Sequence, residues 1–321
     1  MDNSTGTGSQ EIIGLSQPLC VDKDGVLIGK GGFGKVYRIY HKLDNQYYAV
    51  KKILITESSI KNALHEIRVL ASLHHANITR YFYSWVEHHH QEERLDDEDN
   101  DRLEDDKLLL FENNYFFFNL QMEFCQMSLK EYLSRRTKIC HHVNRKIIEQ
   151  IVDGLDYLHQ HGVIHRDIKP DNILVSSLET MVIKISDFGL AKVFRQGFRL
   201  TEQSLYVGTY LYASPEQFDG LACTFASDIY SLGIVMYEMQ FLFHTEMERI
   251  QTLLNLKEKS IIDKSVQHVD MIQCMIHKNE AMRPTMPILR LLLNSDVNKM
   301  NITTFCRDIV WGTVCRVLCT I

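Results

Sequence analysis

Hydrophobic and polar residues alternate with a period of two in four stretches of the first half of the chain: Val36–Tyr40, Gln46–Ile55, Tyr81–Glu87 and Tyr115–Glu123. Alternation in runs rich in Val, Ile, Tyr and Phe predicts strands with one buried face. The first follows a glycine-rich stretch, Leu27-Ile28-Gly29-Lys30-Gly31-Gly32-Phe33-Gly34-Lys35-Val36-Tyr37, with β-formers on both sides. From Ser58 to Ser72 the period becomes helical, with Leu64, Ile67, Leu70 and Ala71 on one face. Further on, Ser128–Arg136 reads as a short helix and Asn144–His161 as a long one, whose Ile147, Ile148, Ile151, Leu155 and Leu158 recur at helical spacing. Two short β runs follow, Ile173–Val175 and Val182–Ile185. Strands gathered early and helices gathered late predict an α+β chain. Its expected parts are a flexible start (1–21), a strand-rich part (22–123) with an insert at 88–114, a mainly helical part (124–294) and a tail (295–321).

Composition narrows the class without choosing a chemistry. With 321 residues, 45% hydrophobic and 24% charged, the chain reads as a soluble globular protein long enough for two domains. The net charge of −6 is local in origin. Glu92–Asp106 holds ten acids against Arg94 and Arg102, a net of −8, which leaves the remainder at +2. Acidity therefore describes one polar insert, expected to be a disordered loop, and no nucleic-acid or membrane partner is expected from it. His88-His89-His90 at its edge could bind a transition metal or haem iron, and reads more simply as solvated. The eight cysteines form no C-x-x-C pair, so neither a zinc knuckle nor a disulfide framework is indicated, and a reducing compartment fits. The start of the chain lacks a basic segment followed by an apolar core, and no long uncharged apolar run occurs. A cytoplasmic location is the expectation.

The candidate chemistry converges on His165-Arg166-Asp167-Ile168-Lys169-Pro170-Asp171-Asn172. Asp167, Lys169 and Asn172 set a proton acceptor, a phosphate-directed cation and a metal-directed amide on one short loop, the equipment for moving a phosphoryl group. Asp187, in Asp187-Phe188-Gly189, is a second carboxylate beside a glycine that permits a sharp turn, suited to direct magnesium coordination. Asp167 instead suits accepting a hydroxyl proton. Lys51, in Ala49-Val50-Lys51, lies in an apolar setting where an ammonium needs anionic partners, and Glu66 on the following helix is the natural one. A G-x-G-x-x-G pattern alone is weak, its rival meaning being a dinucleotide-binding turn that should open a helix. Here a strand follows, so the glycines predict a strand-turn-strand flap whose amides approach phosphates without a Cβ in the way. Met122 is placed to wall an adenine pocket, with the backbone of Glu123 and Cys125 placed to read the base edge.

Gly29 to Val36, Ala49 to Lys51, Glu66, His165 to Asn172, Asp187 to Gly189 and Ser214-Pro215-Glu216 follow one another in the order of the eukaryotic protein kinase signature set. The chain is identified on this resemblance as a member of that family over residues 22 to 294, with Ser214 where the common form has Ala. The resemblance implies a bilobal kinase fold, with a small antiparallel β lobe plus one helix and a larger mainly helical lobe. It also implies ATP and Mg2+ as cofactors and serine/threonine phosphorylation as the activity. The nucleotide-contacting positions would be Ile28, Gly29, Lys30, Gly31, Gly32, Phe33, Gly34, Val36, Ala49, Lys51, Met122, Glu123 and Cys125. Asp167, Lys169, Lys51 and Glu66 would be catalytic, and Asn172 and Asp187 would hold metal. Asp228 would support the catalytic loop and Arg283 would pair with Glu216, while Leu70, Phe188 and His165 would stack in an apolar spine.

Longer stretches, among them Lys42 to Ile55, Tyr212 to Gln217 and Thr245 to Arg249, are similar to the haem-regulated branch of the kinase group that phosphorylates the α subunit of eukaryotic translation initiation factor 2. The insert before the fifth strand is also typical of that group. The implied function is translational shut-down under stress, the alternatives being another protein substrate or a catalytically weak nucleotide-binding scaffold. The same resemblance implies substrate docking at Thr245 and Glu248, an activating phosphosite at Ser204 read by Arg166, and homodimerisation through the small lobe. Thr245 with acids after it also fits a plain helix N-cap. No cysteine is followed by proline and little chain precedes the glycine loop, so haem control is not expected. The tail ends W-G-T-V-C-R-V-L-C-T-I and lacks the charged heptads of a coiled coil.

Overall fold

The computed structural model describes residues 25–31, 34–56, 67–88, 115–187 and 210–294. The expected flexible start, the acidic insert beyond His88 and the tail lie outside the described residues. The chain divides into two compact units, one of Met1–Ser58 with Tyr81–Glu123, the other of Ser59–Arg80 with Phe124–Ile321.

The first unit is a five-stranded antiparallel sheet in the order β1-β2-β3-β5-β4, from β1 (Val26–Gly31), β2 (Gly34–His41), β3 (Gln46–Thr56), β4 (Tyr81–His88) and β5 (Tyr115–Glu123). Period-two alternation splits its side chains between two faces. Ile39, Val50 and Trp85 bury together on one, with Tyr37 and Tyr83 against them. The Trp85 indole N–H is not left unpaired there, since it donates to Glu87 at 2.8 Å. The other face carries Ala49, Lys51 and Ile53, and the β3–β5 register sets Met122, Leu120 and Phe118 opposite them. One glycine is obligatory for steric reasons: Gly34 has φ +129°, and a Cβ there would lie 2.2 Å from the Lys52 carbonyl oxygen.

The second unit is built around α2. Its elements are β6 (Met127–Ser128), α1 (Leu129–Arg135), α2 (His141–Gln160), β7 (Ile173–Ser177), β8 (Val182–Ile185), α3 (Pro215–Phe218), α4 (Phe225–Glu238), α5 (Glu246–Lys259), α6 (Val269–Met275) and α7 (Met286–Asn294). Residues 67–72 are helical and belong to this unit. In α2, Ile147, Ile151, Leu155 and Leu158 are fully buried at the spacing that places them on one stripe. The small sheet β6-β7-β8 packs on that helix closely enough that a Cβ at Gly154 would lie 2.8 Å from Ile185 Cδ1 of β8, and 2.9 Å from the Asn77 carbonyl oxygen beside it. Asn77 closes the same junction, donating to Ile183 O at 2.9 Å and accepting from the Ile185 N–H at 2.8 Å. Helix α4 is buried at every position from Ser227 to Glu238. A helix buried all round is a central strut, with no solvent face for an amphipathic pattern to reveal.

The helix expected from Asn144 starts three residues earlier, at His141. Asn144 is buried inside the helix, where its amide donates to Met239 O at 2.7 Å. The strand expected to stop at Val175 continues to Ser177, because Ser177 still pairs with Val182. Among the described residues, no helix is long and apolar enough to cross a membrane.

Candidate active site

The loop between α2 and β7 is held from outside before it can do any chemistry. Asp228, fully buried in the first turn of α4, accepts the backbone N–H of His165 at 2.9 Å on one carboxylate oxygen and that of Arg166 at 2.8 Å on the other. His159 Nε2, from the last turn of α2, lies 2.8 Å from the same carboxylate. Three partners satisfy a charge that burial alone would penalise by several kcal/mol. They also hold Arg166 in a left-handed conformation (φ 69°), strain of about 1–3 kcal/mol for a residue with a Cβ. Gln217 Nε2 adds a bond to the Arg166 carbonyl oxygen at 2.8 Å.

His165 is fully buried and bridges two parts of the site. Its Nδ1 accepts from the Asp167 N–H at 3.2 Å, so the proton sits on Nε2, which donates to Ser186 O at 2.8 Å. Ser186 in turn donates its N–H (2.9 Å) and hydroxyl (3.0 Å) to Asn172 O. These bonds tie the loop to the chain that delivers Asp187, itself left-handed at φ 61°.

Within the loop, one Asp167 carboxylate oxygen receives Lys169 Nζ at 2.8 Å and Asn172 Nδ2 at 2.9 Å. Asn172 Nδ2 also donates to Asp167 O at 2.8 Å, fixing which end of the amide faces the aspartate. Pro170 opens the 3-10 turn Pro170–Asn172, where its set φ suits the first position. Asp167, Lys169 and Asn172, expected to act together, are therefore in direct contact.

In the strand unit, the register sets Val36, Lys51 and Leu120 in one row and Arg38, Ala49 and Met122 in the next, so the expected nucleotide-contacting positions Val36, Ala49, Lys51 and Met122 share one sheet face. Lys51 is only 3% exposed. An ammonium that deep must be paired. Gly29 and Lys30 lie on β1 opposite Val36 and Lys35, Gly31 faces Gly34 across the turn, and Ile28 is exposed beside them. Glu123 ends β5, and Cys125 is buried in the chain that follows. Glu66, Gly32, Phe33, Phe188 and Ser204 lie outside the described residues.

Two further polar centres brace the helical unit. Glu216 in α3 forms a two-point pair with Arg283, at 2.6 and 2.8 Å, and also accepts from the Ser227 hydroxyl at 2.7 Å. Burial would raise the Glu216 carboxyl, but the Arg283 and Ser227 bonds outweigh it and bring it down to about 2. At the second centre, Tyr212 donates to Glu238 at 2.5 Å, and Arg249 from α5 donates to the Tyr212 oxygen at 2.8 Å and to Glu238 at 3.2 Å. Burial pushes the Glu238 carboxyl up in spite of both donors. Thr245 is the N-cap of α5. Its side chain accepts from the Glu248 N–H at 3.1 Å, while the Glu248 carboxylate accepts from the His244 N–H at 2.9 Å. The cap expected from local chemistry is therefore formed, by the two residues expected to dock substrate.

Sequence reasoning placed Asp228 and Arg283 but passed over His159, Gln217, Glu238 and Arg249. His159 sits at helical spacing from Val152 and Leu155, both buried, and could have been read as inward-facing. Arg249 and Glu238 carried no such signal.

A family model described as "Protein kinase domain" matches residues 23–293. The interferon-induced, double-stranded RNA-activated protein kinase of Rattus norvegicus is 33% identical over 74% of this chain, and the match spans 46% of that relative. Eukaryotic translation initiation factor 2-alpha kinase 1 of Mus musculus is 26% identical over 86% of this chain and 68% of its own length. Eukaryotic translation initiation factor 2-alpha kinase 3 of Rattus norvegicus is 36% identical over 51% of this chain and 16% of its own. The chain thus spans about half or less of the length of two of these relatives.

Proposed function

Because this chain belongs to the protein kinase family, we propose that it transfers the γ-phosphate of ATP to a serine of the α subunit of eukaryotic translation initiation factor 2, repressing translation under stress. The observation that carries the catalytic part is the Asp167 carboxylate, bonded by Lys169 and Asn172 in a loop whose backbone is clamped by Asp228. A carboxylate held this way suits taking the proton of an incoming serine hydroxyl, and such assistance is typically worth about 10²–10⁴-fold. Lys169, already on that carboxylate, suits steadying the negative charge of the group in transfer.

The donor set fits a magnesium nucleotide. The Asn172 amide nitrogen is committed to Asp167, which leaves its oxygen as the metal-binding end, and Asp187 offers a carboxylate. Bound with ATP, Mg2+ would neutralise charge on the phosphates. Lys51 would bind phosphate oxygens, with Glu66 as its partner, and the amides of Gly29 to Gly34 would cradle them. Ala49, Val36 and Met122 would wall the base, and the backbone of Glu123 and Cys125 would read its edge. Ser204, once phosphorylated, would be read by Arg166 through charge-assisted hydrogen bonds.

The named substrate rests on the relatives' names and on Thr245 and Glu248 at the start of α5. Incubating the protein with Mg-ATP and the initiation-factor subunit, beside a generic basic protein, tests it. Serine phosphorylation of the subunit in preference to the basic protein is expected. Equal labelling of both removes the substrate assignment, and ATP binding without transfer removes the enzymatic reading.

A further inference from the structure

Helix α5 is tied at both ends to the chain that leads into Ser214. Near its start, Arg249 bonds the Tyr212 hydroxyl and Glu238. Near its end, Lys257 Nζ donates to the carbonyl oxygens of Tyr210 and, at 2.7 Å, of Ala213, and sits 4.0 Å from the centre of the Tyr210 ring. Glu258 takes the Tyr210 hydroxyl at 3.1 Å, adding a third tie. Confinement does not force the lysine into this position. It borders a cavity of about 540 Å3, also lined by Phe218, Tyr230 and Ile276, into which the side chain could swing. Two backbone carbonyls and an aromatic face hold the ammonium where it is.

We propose that Lys257 is a positioning residue for the phosphorylation of docked protein: with Arg249 it locks the helix whose start carries Thr245 and Glu248 to the segment Tyr210–Ala213, so a substrate seated on α5 fixes the segment entering Ser214. This inference rests on the reading of α5 as the docking helix. Lys257 itself touches no reacting atom, and its effect passes through the carbonyls it holds.

The charge on the clamp is adjustable. Burial brings the Lys257 amine down to about 8, opposed by neighbouring Glu258. The other titratable groups lining the same cavity are Asp219 after α3, Tyr210, Tyr230 of α4, and His277 and Lys278 after α6. Below pH 8 the ammonium serves both carbonyls and the ring. Above it the neutral amine keeps two N–H groups but loses its charge and the attraction to the ring, so the clamp weakens without vanishing.

The test compares kcat/KM of the full chain on the initiation-factor subunit with that on a short serine peptide lacking a docking surface. Wild type, Lys257→Met and Lys257→Arg are measured from pH 7 to 9. Lys257→Met is expected to lower the protein-to-peptide ratio about tenfold, equivalent to about 1.4 kcal/mol. Lys257→Arg should keep the ratio and show none of the several-fold decline expected of wild type above pH 8. An unchanged ratio in Lys257→Met, or an equal loss on both substrates with a lowered Tm, overturns the proposal by reducing the lysine to a structural tie. Should Lys257→Met fail to fold, an alkaline decline in Lys257→Arg identical to wild type overturns it instead. A wild-type chain that does not distinguish the two substrates removes the docking reading, and the clamp with it.

Discussion

The loop His165–Asn172 and the block where α3, α4 and α5 meet are both dense in buried polar groups, but they are wired over different distances. In the loop, the groups proposed to act on substrate bond one another across two to five residues, Asp167 to Lys169 and Asp167 to Asn172. In the block, Glu216 meets Arg283 across 67 residues and Tyr212 meets Arg249 across 37. The difference separates two tasks. Local bonds set the shape of a reactive constellation, while long-range bonds decide whether the helices under it stay together. If that division holds, cutting a long-range bond lowers stability first, and cutting a local one lowers activity first.

The largest effect on stability is expected at Arg283. Its guanidinium is fully buried, paired with Glu216 and set 5.0 Å from the Tyr230 ring. Arg283→Leu leaves a buried carboxylate without its partner and should cost about 3–5 kcal/mol in denaturant unfolding. The same pair predicts a pH dependence. Glu216 is held at about 2 in the folded chain, below its unfolded range. Its contribution is therefore complete above about pH 4.5 and lost as pH falls toward 2. Thermal unfolding of wild type should fall more steeply over that window than that of Glu216→Gln, and parallel curves would show that the pair does not carry the linkage.

Next comes Asp228, where Ala strands the buried His165 N–H, the half-buried Arg166 N–H and the His159 ring. A loss of about 2–4 kcal/mol is expected, from the unmet donors, with activity lost alongside because Arg166 is released from its left-handed conformation. An Asp228→Ala chain of wild-type stability would show that this long-range tie carries no stability, against the division drawn above. Smaller again is Thr245→Ala. Removing the cap oxygen should cost about 1 kcal/mol of stability and, if α5 docks substrate, raise KM for the initiation-factor subunit with little change for a short peptide.

The same contrast in bonding distance explains how much of the molecule was legible before its structure. Period-two alternation located strands β2 to β5, and the Asp167, Lys169 and Asn172 group was legible because all three stand in one octet. Helix α2 was located by its isoleucines and leucines, while its start was misplaced by three residues because its first positions, His141 and His142, are exposed and carry none of that apolar stripe. Arg249 and Lys257 were passed over for a physical reason. On a helix such as α5, with Glu246, Glu248, Glu258 and Lys259 around them, basic residues read as a solvated face. Only the placement of Tyr212 and Glu238 against that helix shows that Arg249 is inside. Helix α4 offered no amphipathic signal from Ser227 to Glu238, where every position is buried.

At the far end of the stability scale stands Asp167→Asn, which removes the proton acceptor while keeping the shape of the side chain. Single-turnover phosphoryl transfer measured beside nucleotide affinity and Tm tests the central claim most directly. The expected result is transfer slowed by about 10²–10⁴-fold, with nucleotide affinity and Tm close to wild type. Transfer at the wild-type rate, or a parallel collapse of Tm and nucleotide binding, would contradict the assignment of Asp167 as the group that takes the proton.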